Sequence, residues 1–281
     1  MKLINSSFEF VEQGEGKLDV FKHIEKCGRV SYKSEDKITD DSANEFVGRR
    51  IAAGHTAILE QATIYLEFPH LNMGKYATND FSIDPKILRY IDNPYSKVVT
   101  TDKASFVTTN YRVLYENGWL DDLYNMCSPR SGHEPRVTVK FICSRAIANE
   151  LVRHRVFSFV QESTRFCNYS KERFDGELSF IKPNWYDKEK DTLLKQLYND
   201  TLYNTEQTYL ALIKGGFRAQ EARGILINDL KTELCMTGYV SDWFKLFELR
   251  DNTAAHPDMV ELMHPLHQIF RQRWPDYDTN S

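Results

Sequence analysis

Arg153-His154-Arg155, followed after a gap of seven residues by Ser163 and then Arg165, brings three guanidiniums and an imidazole into thirteen positions of otherwise apolar-leaning sequence. Guanidiniums bind phosphate or carboxylate oxygens two at a time, and a serine hydroxyl can donate to the same anion. In outline this is a phosphate site. The residues before it read as a strand, with Val137, Val139 and Phe141 alternating. A helix follows, carrying Ala146, Ile147, Leu151 and Val152 at helical spacing, so the cations emerge at a helix end. A structural reading stands beside this one: cations near a helix C-terminus complement its dipole, and Ser163 suits the cap of a helix starting around Thr164. Capping and phosphate binding use the same free amides and are compatible.

The 281 residues, 41% of them hydrophobic, are enough for one large domain or one domain with an elaboration. A formal net charge of −4 argues against a broad polyanion-binding face, so local cations are expected to serve a small anion. The five cysteines lack CxxC spacing, which fits reduced thiols and no metal centre. No run of 18 apolar residues occurs and MKLINSSFEF is not a leader, so the expectation is a soluble cytoplasmic protein without membrane or nucleic-acid partners.

These residues need elements to hold them. Leu18, Val20, Phe21 and Ile24 suggest a first helix stopped by Gly28, and Asp41-Ser42 opens a second that ends at Gly54, with His55 just beyond it. Thr63 to Phe68 alternates as a strand, whose expected neighbour is the strand at 136–142. The stretch of about 70–134 then becomes an inserted, peripheral subdomain, with turn formers over 79–95 and a helix within 106–126. A short strand over 178–181, a long amphipathic helix over 187–213, and helices near 219–226, 241–249 and from Pro257, kinked at Pro265, complete the chain. The predicted fold is α+β: a small, largely antiparallel sheet flanked by several helices, one of them long, in a single catalytic domain spanning 1–281. No GxGxxG is present, so a flavin or dinucleotide would be held without a Rossmann loop.

The run RHRVFSFVQESTRF resembles the signature of the flavin-dependent thymidylate synthases, in which Arg-His-Arg, seven residues and a Ser form the defining motif. Arg29-Val30-Ser31-Tyr32, Gly54-His55 with Glu60, Gln220-Glu221-Ala222-Arg223, Leu230 to Leu234 and Leu249-Arg250 resemble further family segments. The resemblance implies reductive methylation of dUMP to dTMP, with FAD as cofactor and NADPH and methylenetetrahydrofolate as co-substrates, in a homotetramer whose sites are shared between subunits. It implies a dUMP set of Glu150, Gln161, Ser163, Thr164, Arg165, Arg223 and Arg250. The implied FAD set is Ser31, His55, Glu60, Arg153, His154, Arg155, Gln161 and Glu162. Catalysis is carried in this reading by Arg250 or Arg223, polarising the uracil, and by His55 near the flavin or folate.

Arg223 and Arg250 also suit surface pairing with Glu221 and Glu248. Val240 and Phe244 stand where the family carries FAD-binding Asn or Arg, which implies that the adenine end is held differently. His256 is a remote counterpart of a family FAD-contacting histidine. Two rivals remain. A folate-dependent synthase without flavin needs a cysteine nucleophile, and no cysteine sits in a Pro-Cys-His setting. A non-catalytic nucleotide- or RNA-binding module would use the same arginines with steep salt dependence.

Overall fold

The computed structural model describes residues 1–70 and 84–278. In chain order the first half carries β1 (Lys2–Ile4), β2 (Ser7–Phe10), α1 (Lys17–Val30), α2 (Ser42–Ala52), β3 (Thr63–Pro69), α3 (Pro85–Ile91), β4 (Lys97–Thr100), β5 (Ala104–Asn110) and α4 (Tyr111–Glu116). The second half carries β6 (Arg136–Ser144), α5 (Arg145–Leu151), β7 (Ser158–Gln161), β8 (Ser179–Ile181), α6 (Thr192–Lys214), α7 (Ala219–Ala222), β9 (Lys231–Tyr239), α8 (Val240–Arg250) and α9 (Pro257–Arg273). The α+β expectation holds: a four-stranded sheet in the order β2-β6-β9-β7 and a three-stranded sheet β3-β5-β4 are both antiparallel, while β1 pairs β8 in parallel.

Several sequence expectations are corrected. Strand β3 pairs with β5, not with the strand at 136–142, so the 70–134 stretch supplies two strands of a sheet. Its described part is therefore not a peripheral excursion: Ile64, Leu66, Ile87, Tyr90, Val107 and Leu114 share one core with Val20 and Ile24 of α1. The helix expected within 106–126 is the tail of β5, the short α4 and a 3-10 turn over Leu120–Asn125. The turn formers expected at 79–95 lie partly outside the described residues; the described remainder includes α3, capped by Asp84 with Pro85 at its first position.

Gly28 does not stop α1, which runs on to Val30. A Cβ on Gly28 would lie 2.9 Å from the Phe46 ring, so this glycine lets α1 and α2 approach closely. Pro265 lies inside α9, and the helix continues through it to Arg273.

The main core lies between the four-stranded sheet and α5, α8 and α9, around Phe141, Trp243, Phe247 and Phe270. Both faces of β9 are buried, and the strand is central in its sheet. Helix α6 starts at Asp191, whose carboxylate accepts the Leu193 and Leu194 amides at 2.8 and 3.4 Å. It buries Leu202 and Tyr209 against β8, but Leu193, Leu194 and Leu197 of its first turns are exposed. No described helix is long and apolar enough to cross a membrane.

Candidate active site

Strand β6 runs straight into α5, whose first turn is capped by Ser144, with the Ile147 amide donating to its hydroxyl at 3.2 Å. Ile147, Ala148 and Leu151 are buried in the main core, which fixes the helix and aims Glu150 and the following Arg153-His154-Arg155 turn outward. The turn is anchored by Phe157. Its ring packs edge-on to Trp243 at 4.9 Å and lies over Gly238 of β9, where a Cβ would come within 2.2 Å of it.

Arg250, the last residue of α8, reaches across to this turn. Its Nε donates to His154 Nε2 at 2.9 Å and its Nη1 to Glu150 Oε2 at 3.0 Å. Partial burial, then the charges of Arg250 and Arg153, hold the imidazole below its usual pKa, which agrees with Nε2 acting as an acceptor. The sequence expectation of an Arg250–Glu248 pair is replaced by this contact. Next to Arg250, the Asp251 carboxylate meets His264 Nδ1 at 3.0 Å and His267 Nδ1 at 2.7 Å, tying the end of α8 to α9.

Strand β7 separates the two ends of the motif. It spans roughly 10 Å at about 3.3 Å per residue, so Arg155 precedes one end and Glu162 to Arg165 leave the other. At that second end the Glu162 amide donates to Glu233 O at 2.8 Å and the Ser163 amide to Ser31 O at 3.1 Å. Ser163 opens a tight turn and not the expected helix: its hydroxyl accepts the Arg165 amide at 3.3 Å, and its carbonyl accepts the Phe166 and Cys167 amides. Thr164 is buried, and Gln161 donates to Thr232 Oγ1 at 3.3 Å.

Glu162 is 2% exposed, and both carboxylate oxygens are engaged, by Lys231 Nζ at 2.9 Å and by Tyr169 OH at 2.9 Å. Lys231 also reaches Glu233 at 2.6 Å, which Lys33 contacts at 2.8 Å. Burial opposes ionisation of Glu233, but Lys231 and Lys33 outweigh it and bring its pKa down to about 2. Lys33, Tyr169, Lys231 and Glu233 were not singled out from the sequence as site residues. One signal was available: Lys231 and Glu233 are two apart in a strand and so share a face.

The remaining expected residues divide into free and engaged. Arg153, Arg155, Arg165 and Arg223 are exposed and, among the described residues, have no carboxylate partner; Glu221 is taken by Arg218. His55 is exposed just past α2. Glu60 is held by Arg112, which also binds Glu116 at 2.8 Å, and Ser31 donates to Gly28 O at 2.8 Å. Val240 and Phe244 are buried in the main core, and His256 caps α9 by accepting the Asp258 amide at 3.2 Å.

The arrangement places exposed guanidiniums at both ends of one edge strand of a small antiparallel sheet and a neutral imidazole held by a third, groups that are able to bind anions. Residues 86–276 match the thymidylate synthase complementing protein family, and the chain belongs to that family. The match takes in most of the stretch read from sequence as an insertion. Among curated relatives, the flavin-dependent thymidylate synthase of Synechocystis sp. is 26% identical over 145 residues, covering 50% of this chain and 67% of the relative. That of Pyrococcus horikoshii is 29% identical over 161 residues, covering 51% and 65%. That of Pyrobaculum aerophilum is 29% identical over 132 residues, covering 47% of each. The chain thus spans about two thirds or less of the length of these relatives.

Proposed function

We propose that the protein is a flavin-dependent thymidylate synthase that converts dUMP to dTMP, with FAD as its flavin and NADPH and methylenetetrahydrofolate as co-substrates. It works in this reading as a single catalytic unit in a cytoplasmic homotetramer with shared sites. The observation that carries the proposal is the set of uncompensated arginines, Arg153, Arg155, Arg165 and Arg223, on a chain with formal net charge −4 that pairs many of its other cations. Guanidiniums left without a carboxylate partner can bind phosphate oxygens two at a time. Since β7 holds the motif's two ends apart, they suit two different phosphorylated molecules, or one site completed by a neighbouring subunit.

The guanidiniums suit the cofactor: Arg153 and Arg155, with His154, would hold its pyrophosphate, while Ser31 and Gln161 at the other end of β7, and His55, would meet other parts of the same molecule. When bound, FAD supplies the hydride carrier that the side chains of this protein lack. Ser163, Thr164 and Arg165 would take the phosphate of dUMP, with Arg223 and Glu150 near its sugar and base. Arg250 is oriented by Glu150 and His154, so its positive charge is fixed where negative charge would develop on a uracil carbonyl. Glu162, fully engaged by Lys231 and Tyr169, acts in this reading by holding the Ser163 turn and β7 in place.

The test is direct. The purified protein, supplied with FAD, NADPH, methylenetetrahydrofolate and dUMP, is expected to form dTMP; no dTMP under these conditions sinks the proposal. Arg153→Ala is expected to lose the yellow cofactor, whereas Arg165→Ala keeps it and weakens dUMP binding by about tenfold or more.

A further inference from the structure

A cavity of ≈370 Å³ opens beside the Ser163–Arg165 turn, and none of the residues assigned above to FAD or dUMP lines it. Its walls bring Lys37, Arg49, Arg50 and Arg173 together with the rings of Tyr32 and Phe166, and no carboxylate lines it. Two of its cations are already spent: Arg29 is buried in a 2.5 Å pair with Glu25, and Arg49 meets Glu45 at 3.4 Å. Lys37, Arg50 and Arg173 have no carboxylate partner among the described residues. Arg50 is the most constrained of them. Its Nη1 donates to Tyr32 OH at 3.1 Å, its guanidinium stacks over the Tyr32 and Phe46 rings at 5.2 and 5.5 Å, and its Nε is buried without a partner.

Arg50 as a whole is half-buried and lines the cavity, so its guanidinium, without a carboxylate partner among the described residues, can donate to an anion that enters. Arg173 reaches the cavity from a separate segment and is steadied by donating to Lys33 O at 3.1 Å, so positive charge enters from two parts of the chain. Phe166 is 53% exposed at the mouth, its ring 5.2 Å from that of Tyr32 and 5.6 Å from the Arg165 guanidinium. Two cation sources and a partly exposed ring match a purine base that carries two phosphate groups.

We propose that this cavity binds the adenosine 2′,5′-bisphosphate half of a phosphorylated pyridine dinucleotide, at a site separate from those of FAD and dUMP. The inference rests on the functional reading above, which requires such a reductant, but its test needs no turnover. Phosphate contacts with Lys37, Arg50 and Arg173 distinguish a 2′-phosphorylated nucleotide from its unphosphorylated counterpart, because losing one phosphate removes charge-assisted hydrogen bonds to these cations.

The experiment titrates adenosine 2′,5′-bisphosphate, 5′-AMP, dUMP and inorganic phosphate into the flavin-loaded protein by calorimetry. The bisphosphate is expected to bind at least about tenfold tighter than 5′-AMP, and to bind equally well with dUMP already present. The exposed pair Lys37→Ala/Arg173→Ala is expected to reduce that preference to less than about threefold, with flavin content and dUMP affinity unchanged. Equal binding of the two adenine nucleotides, or a preference that survives the double substitution, overturns the proposal. Competition between the bisphosphate and dUMP overturns it too, since the cavity would then belong to the dUMP site. If the wild type forms no dTMP yet shows the 2′-phosphate preference, the functional reading fails while the cavity assignment stands.

Discussion

Arg250 Nε and His154 Nε2 stand 2.9 Å apart, so the guanidinium at the end of α8 donates to an imidazole that must be neutral to receive it. Glu150 takes a second N–H of the same guanidinium at 3.0 Å. Arg250→Ala should therefore remove a fixed positive charge and not a loose surface one. The expected loss in dTMP formation is about 10²-fold, mainly in kcat, checked by steady-state kinetics alongside a thermal melt.

Acid should release the same contact. His154 is held below its usual pKa of 6.5, so it stays neutral down to somewhat lower pH, and its protonation then sets two cations against each other. The pH profile of dTMP formation is expected to have an acidic limb below 6.5. Loss of that limb in His154→Gln would support the assigned acceptor role, and an unchanged limb would contradict it.

Global stability should also fall in acid, for a different reason. Burial holds the His23 imidazole down to about 4, while in the unfolded chain it titrates near 6.5. Between these values only the unfolded chain takes up the proton, so stability is full above pH 6.5 and declines by about 3 kcal/mol toward pH 4. Glu233, brought down to about 2, adds a further decline below 4.5. Urea midpoints measured at pH 7, 5 and 4 would check this sequence of losses.

Lys231→Ala should leave the buried Glu162 carboxylate with Tyr169 as its one side-chain partner among the described residues and remove one of the cations at Glu233. The expected cost is about 3–5 kcal/mol, read from urea denaturation. Lys231→Met combined with Glu162→Gln should recover part of it, because no uncompensated charge is then buried at that position.

Gly238→Ala places a methyl where the Phe157 ring lies, and that ring anchors the Arg153-His154-Arg155 turn. A destabilisation of about 1–3 kcal/mol is expected, together with reduced flavin retention measured by absorbance after gel filtration.

Local pattern carried much of the chain. The strand-to-helix run of β6 and α5, the long helix α6, the start of α9 at Pro257, and β3 and β8 as strands all follow from spacing and caps within a few residues. Pairing did not follow. Alternation identifies β3 as a strand but says nothing about its partner, and β5 won that place because it lies across the same core. Strand β9 escaped notice because, buried on both faces at the centre of its sheet, it shows no alternation, and Lys231 and Glu233 break its apolar run.

The same division holds at the site. Residue type and spacing were enough to pick out the arginines of the 153–165 segment, because an excess of cations in an apolar stretch is a local property. Which of them are free and which carboxylates are already taken depended on side chains brought from far along the chain, such as Arg112 to Glu60, Lys231 to Glu162 and Arg250 to His154. Charges act over a few ångströms of space, and only the packing of α8, β7 and β9 against one another sets those distances.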